Sequence, residues 1–244
     1  MEQIITKGIV LKSIDYGDKD RIVTIFSLEH GRVNGILKGV KKLTAKMKFA
    51  SQPFCYAEFK LVGKSELYTV AGASEIDSFF DITQNYAKMV CGSAMLEMTN
   101  NVSIFGEPNK VLFDALVVCL KALAFTDIAP DIVLMRFALG VFKVSGYQMN
   151  LLTCRNCGKS LNTDKVVFDA DLGEFVCIKC PVSRYIPISA RTLEIMQMLA
   201  KTPLTKLENF VLMENEAREI RQIIRTNIEI RFGVKLKSLF AQFD

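Results

Sequence analysis

Residues 20–40 read DRIVTIFSLEHGRVNGILKGV, and their alternation decides how the chain begins to fold. In DRIVTIFSL, Ile22, Thr24, Phe26 and Leu28 fall on one side and Val23 and Ile25 on the other, the period-two pattern of a strand. The EHG that follows, residues 29–31, is a turn in which Gly31 is free to take a positive φ. GRVNGILKGV then reads as the next strand, and its glycines Gly35 and Gly39 predict bulges or sharp coiling. Outward from this pair, IITKGIVLKSI at 4–14 is a strand rich in Ile and Val. PFCYAEFKLV at 53–62 alternates Phe54, Tyr56 and Glu58 against Cys55, Ala57 and Phe59, and ELYTVAGASEI at 66–76 makes a fifth strand. Five short, coiled strands within residues 1–80 predict a small closed barrel such as an OB-fold. An SH3-like barrel satisfies the same periodicity.

After Phe80 the period changes to that of helices. Asp81 is placed to cap a helix over 82–102, with Tyr86, Met89, Val90 and Leu96 at helical spacing. Pro108 suits the first turn of a second helix, and Pro130 that of a third, DIVLMRFALGVFKVS, which Gly146 can end. All three are strongly apolar, so each is expected to pack on more than one side. Farther on, Ser189 caps ARTLEIMQMLAK, Pro203 stops it, and ENEAREIRQIIRTNIEIRF runs to Gly233.

Between these helix groups lies CRNCGKSLNTDKVVFDADLGEFVCIKC. Cys154, Cys157, Cys177 and Cys180 form two C-x2-C pairs separated by nineteen residues. Two residues between cysteines let a tight turn bring both sulfurs to one ion, so the spacing is that of a four-thiolate zinc site. Gly158 relieves the first knuckle, and KVVFDADLGEFV reads as a hairpin with DLG at its turn. The expectation is one structural Zn2+, because four thiolates leave no coordination position for a reacting water. Cys55, Cys91 and Cys119 fall in apolar stretches and read as core residues. The single histidine, His30, reads as a solvated turn residue. Asp15, Asp18 and Asp20 read as a polar turn.

The predicted fold class is thus α+β: an N-terminal OB-fold barrel, then a helical domain carrying an inserted zinc-ribbon-like knuckle. The predicted units are 1–80 (barrel), 81–151 (helices), 152–185 (zinc insertion) and 186–244 (helices).

Half of the residues are apolar, yet no stretch approaches the ~18 uninterrupted apolar residues of a spanning helix. An odd number of cysteines, seven, fits a reducing compartment, so the expected location is the cytoplasm. Net charge is +5 but unevenly spread. From His30 to Ala57, 28 residues carry six basic groups and no acid: Arg32, Lys38, Lys41, Lys42, Lys46 and Lys48. Lysines without local acids suit a phosphate backbone, and Phe49, Phe54 and Tyr16 stand near enough in sequence to offer stacking faces. Arg21 sits at a strand start and joins the candidate nucleic-acid contacts. Arg218, Arg221 and Arg225 form a helical stripe that reads equally as a solvated face or an extension of that surface. No P-loop, dinucleotide fingerprint or Ser-His or Cys-His pairing is present, so no enzyme is expected. A zinc-ribbon RNA-binding protein of transcription or translation fits the same features.

GIVLKSIDYGDKDRIVTIFSLEHGRVNGILKGVKK at 8–42, followed by QPF at 52–54, resembles the N-terminus of the RecO family of bacterial DNA-repair proteins. FALGVFKVSGYQMNLLTCRNCG at 137–158 and LGEFVCIKC at 172–180 resemble that family's last core helix, its G-Y turn and its two knuckles. The resemblance covers essentially the whole chain. It implies a nucleoid-associated recombination mediator that binds single- and double-stranded DNA and anneals complementary strands. It further implies action with RecR in loading RecA onto DNA coated by single-strand-binding protein, whose C-terminal tail the helical domain would hold.

Overall fold

The computed structural model describes residues 3–63, 67–161, 166–208 and 210–240. Glu66 and Lys165, the first residues of two of the predicted β stretches, lie outside them. Strands β1 (Gln3–Tyr16), β2 (Asp20–Ser27), β3 (Gly31–Leu37), β4 (Tyr56–Val62) and β5 (Leu67–Asp77) close into a barrel in the order β1-β2-β3-β5-β4. β1 closes antiparallel on β4, with Gly8 opposite Ala57, and β3 runs parallel to β5, with Gly35 opposite Tyr68. That connectivity is the Greek-key order of an OB-fold and separates it from the SH3-like alternative. A register shift between Val10 and Lys12 bends β1, so that one strand serves both of its neighbours.

Period-two alternation sorts the barrel's side chains as the sequence suggests. Val10, Val23, Ile25, Val33, Leu37, Phe59, Leu61 and Val70 fill the interior. Gly35, however, makes no bulge: it pairs in regular register with Val23, and a Cβ there would stand 2.8 Å from Val70 Cγ2. Close packing, not coiling, requires that glycine. Gly39 falls in the turn after β3 rather than within the strand.

On the outside of the barrel, Ile9, Leu11, Phe26 and Phe54 join the core of the helical part. The helices are α1 (Phe80–Thr83), α2 (Tyr86–Val102), α3 (Lys110–Phe125), α4 (Pro130–Val144), α5 (Ala190–Leu199), α6 (Glu214–Phe232) and α7 (Lys237–Phe240). Phe26 and Tyr56 hold their rings 5.9 and 6.1 Å from that of Phe113 on α3, fixing barrel against helix.

Two helix starts differ from the sequence reading. The helix predicted over 82–102 is broken, because Asn85 takes an extended backbone and its side chain accepts the Lys88 N–H. Asp81 therefore lies inside the first turn of α1 instead of capping. Pro108 stands outside α3, because Asn109 takes the cap and accepts the Leu112 N–H. In both cases a nearby asparagine side chain satisfies an orphan amide of the first turn, which neither Asp81 nor Pro108 does at its position. Tyr86 and Met89, placed by spacing with the apolar set, are exposed. Pro130 opens α4, Ser189 caps α5, and Gly233 ends α6 with φ 67°.

The cysteine segment folds as β6 (Val166–Asp169), β7 (Glu174–Cys177) and β8 (Tyr185–Ile188), ordered β7-β6-β8. β8 was not evident from the sequence; it contains Pro187, which fits its edge position. β6 is buried along its whole length, and Phe168 and Phe175 meet edge to face at 5.2 Å. These residues belong to the same core as the helices. The cysteine segment is therefore packed into the helical part and is more than a peripheral insertion. Among the described residues no helix is long and apolar enough to cross a membrane.

Candidate nucleic-acid interface and metal knuckle

The lysine-rich loop after β3 is fastened to the β1–β2 turn. Gly39 N–H donates to Asp20 Oδ1 at 2.7 Å, and Lys41 N–H donates to the Lys19 carbonyl at 3.0 Å. Asp15 lies between two cations: Arg21 Nε and Lys41 Nζ each donate to its carboxylate at 2.9 Å. The Lys41 hydrogen bond, then the Arg21 one, hold the Asp15 carboxyl below the usual aspartate range. Two members of the acidic triplet thus anchor the basic loop. Lys38, Lys42, Lys46 and Lys48 extend from it into solvent.

Of the three aromatics considered for stacking, only Tyr16 is well exposed. Phe49 packs against the barrel core. Phe54 is buried in the seam, where a Cβ on Gly92 of α2 would stand 2.9 Å from its ring. Tyr16 shares an outer face of β1 with Ile14 and Lys12. Ile14 continues across the sheet through its partner Ile22 to Ile36. Arg32 is placed otherwise than the sequence suggests. Its guanidinium donates to the Asn100 carbonyl, and its backbone pairs with Ile104 and Gly106, all in the barrel–helix seam. Lys19 and Lys12 were missed by the sequence reading. Lys19 is flanked by Asp18 and Asp20, which hide it from any search for acid-free runs.

The arginine stripe also divides. Arg221 Nε donates to Asp131 Oδ1 at 2.6 Å and its NH2 donates to Asp131 Oδ2 at 2.8 Å, tying α6 to α4. Arg218 and Arg225 line, with Arg221, Gln222 and Leu239, a cavity of about 290 Å3.

The four cysteines converge. Their sulfurs all lie within 4.8 Å of one another, with separations of 3.7 Å for Cys154–Cys180 and Cys157–Cys177 and 3.6 Å for Cys177–Cys180. Sulfurs placed tetrahedrally about an ion at ~2.3 Å would be ~3.8 Å apart, so the set fits a four-thiolate metal site. Cys177 N–H points at Cys154 Sγ at 3.3 Å. Burial raises the Cys154 pKa, but the backbone N–H groups of Cys177, Cys157 and Asn156 outweigh it and bring the thiol down to about 6. The Cys177 thiol and then burial push Cys180 up to about 12, the mark of a cluster that cannot hold four negative charges unaided. Among the described residues this is the only grouping of His, Cys, Asp or Glu close enough to share an ion. Cys55 and Cys119 are buried thiols pushed up to about 12, and Cys91 is raised well above the usual value, all chiefly by desolvation. His30 donates its backbone N–H to Ser27 Oγ within the turn at 29–31.

A closed OB-type barrel packed on an α-helical unit, with a thiolate knuckle built into that unit, defines the class of this protein. The family model described as "Recombination protein O N terminal" matches residues 1–79, and "Recombination protein O C terminal" matches 83–240. A DNA repair protein RecO of Pelotomaculum thermopropionicum is 31% identical over 95% of this chain and 90% of its own length. Its counterparts in Desulforamulus reducens (29%, 95% of this chain, 90% of that protein) and Caldicellulosiruptor saccharolyticus (28%, 98% and 97%) agree along nearly the whole chain. The chain belongs to the RecO family of DNA repair proteins.

Proposed function

We propose that this chain is a non-catalytic recombination mediator that binds single- and double-stranded DNA and anneals complementary strands. With RecR it helps load RecA onto DNA coated by single-strand-binding protein. The observation that carries the reading is the loop of Lys38, Lys41, Lys42, Lys46 and Lys48, fastened at one end of the barrel next to exposed Tyr16. Barrels of this type take strands on the outer face around β2 and β3 and in adjoining loops. Lysines neutralise phosphates without reading sequence, and phosphates neutralised on two strands no longer repel each other, which favours annealing. Arg21 adds a cation beside the loop, and Lys19 and Lys12 continue the positive face. Arg32, occupied at the seam, is left out of the contact set.

Within this reading residues 1–80 engage DNA, while 81–151 and 186–244 form the helical unit that docks the tail of single-strand-binding protein. Residues 152–185 hold one Zn2+ through Cys154, Cys157, Cys177 and Cys180. Bound there, the ion supplies a closed cross-link and no open position for catalysis. The protein acts in the cytoplasm at the nucleoid.

The test is strand annealing and binding by wild type against a variant with Lys38, Lys41, Lys42 and Lys46 all changed to Glu. The variant should lose annealing and most DNA affinity, and wild-type affinity should fall steeply with salt. Unchanged affinity and annealing would sink the assignment. A marked preference of wild type for single-stranded RNA would favour a role in transcription or translation instead.

A further inference from the structure

Lys12 stands on two surfaces at once. On β1 it continues the exposed row of Ile14 and Tyr16 that leads to the lysine loop, and it also lines a cleft of about 430 Å3 between the barrel and the helices. The register shift between Val10 and Lys12 sends Leu11 into the helical core and brings Lys12 to the seam. Three distant parts of the chain wall the cleft: Lys12 and Ser13 of β1, Glu97 and Asn101 of α2, and Lys235 and Lys237 in and just before α7. Three ammonium groups thus share the cleft with one carboxylate. Glu97 is already engaged, accepting the Ser238 N–H at 3.4 Å and the Ser238 hydroxyl at 3.3 Å. Lys235 reaches Glu229 at 3.8 Å, and both side chains are exposed, so that pair contributes little. Ser13 Oγ is enclosed and has no hydrogen-bond partner among the described residues. An enclosed hydroxyl without a partner is uncommon in folded proteins and marks a place that an outside group completes.

Excess positive charge beside a spare hydroxyl calls for an anion, and the cleft falls in the ~300–1,000 Å3 range of binding sites, with room for a nucleotide. Asp15, which fastens Lys41, lies three residues beyond Lys12 on β1, a distance of ~10 Å and the rise of about three stacked nucleotides of one strand. We propose that a single strand of DNA held at the lysine loop runs along the row Tyr16–Ile14–Lys12 and enters this cleft. There Lys12, Lys235 and Lys237 neutralise its phosphates, and Ser13 Oγ donates to a phosphate oxygen. This path presupposes that the barrel loop holds DNA, as proposed above, and adds contacts from the helical unit. Duplex DNA, stiff over ~50 nm, lies across such a recess and cannot enter it, so the cleft takes one strand. The footprint on a single strand is therefore longer than the barrel alone provides.

Fluorescence anisotropy of the full chain with two labelled oligothymidylates is the test. One is near the lower end of the ~4–16 nucleotides that one OB-fold covers, the other well beyond the upper end. K235A/K237A should bind the short strand as wild type does and the long one about tenfold more weakly at ~0.1 M salt. Its log–log salt slope on the long strand should be shallower by about 1.4, two contacts at ~0.7 each. S13A should melt as wild type does yet bind the long strand about fivefold more weakly. Circular dichroism and melting establish that each variant is folded. Wild-type affinity of either variant for the long strand overturns the path. So does an equal loss by K235A/K237A on both strands, which would place the two lysines at the barrel site, or a loss confined to duplex. The variant with four loop lysines changed to Glu separates this path from the barrel reading. If that variant keeps short-strand affinity, the barrel reading falls and the path with it. If it loses that affinity while K235A/K237A matches wild type, the path alone falls.

Discussion

Asp131 of α4 and Arg221 of α6 are joined by two hydrogen bonds, Nε to Oδ1 at 2.6 Å and NH2 to Oδ2 at 2.8 Å. The Asp131 hydrogen bond, against the opposing effect of burial, raises the Arg221 pKa further above its usual value. Asp131 is 6% exposed, so removing its partner would leave a buried carboxylate uncompensated. Arg221→Ala should lower the unfolding free energy by about 2–3 kcal/mol in urea titrations. Arg221→Lys should recover only part of the loss, since an ammonium cannot make the two-pronged contact. A loss below about 0.5 kcal/mol for the alanine variant would mean that the pair is only a surface ion pair.

That pair also shows where the sequence is legible and where it is not. The spacing of Arg218, Arg221 and Arg225 places them along one helix, but Arg221's partner stands 90 residues earlier. No local pattern points to it. The barrel strands are readable because alternation is local: Val23 and Ile25 share one face as the spacing says, and the structure makes that face the barrel interior. The choice between barrel types was not readable, since it rests on β3 running parallel to β5 and β1 closing on β4. The cysteine spacing announced the knuckle, whereas burial of β6 on both faces depends on helices far along the chain. Phe54 reads as a strand aromatic close to the lysine run, because the seam that buries it is a tertiary contact. The lysine loop was legible as charge, but its fastening by Asp15 and Asp20 was hidden in what read as a separate polar turn.

Gly31 meets two demands, the turn that its sequence position predicts and a close approach across the barrel–helix seam. It has φ 60°, and a Cβ there would stand 2.0 Å from the Glu107 carbonyl oxygen, in the barrel–helix seam. Gly106 has φ 74° with nothing within 4 Å of the same construction. Gly106→Ala should cost about 1–2 kcal/mol, the strain of the left-handed region alone. Gly31→Ala should cost more than about 3 kcal/mol, because backbone must also move. Chemical denaturation of both variants distinguishes the two effects. Equal losses would show that the seam yields freely.

Asp15 gives a pH dependence with a definite sign. Its carboxyl is held below the ordinary aspartate value by Lys41 and then Arg21. A depressed folded-state pKa means that the contribution is present above the unfolded value and lost as pH falls through the folded one. The fastening of Lys41 should therefore persist through neutral and mildly acidic solution and fail only in strong acid. A carboxyl-detected NMR titration should place the Asp15 midpoint below the ordinary value; a midpoint at or above it would contradict the pairing. Asp15→Asn removes the acid at every pH and frees both cations. On the proposed function, its DNA affinity should rise at low salt, with a log–log salt slope steeper by about 1. A drop in affinity would instead make the fastening itself the more important contribution.

The cysteine cluster predicts a separation between metal and DNA. Its four sulfurs are spaced for one ion, and Cys177 both contributes a sulfur and aims its N–H at Cys154. Cys177→Ser should lose about one equivalent of bound zinc by elemental analysis and melt well below wild type. A strong chelator should lower the wild-type melting temperature and leave that of the variant unchanged. Cobalt substitution should give the intense thiolate bands of a four-sulfur site. The cluster packs on the helical core while the lysine loop stands on the barrel, so below its melting point Cys177→Ser should keep wild-type affinity for short single strands. If instead the folded variant lost DNA affinity with unchanged stability, the knuckle would itself be a DNA contact.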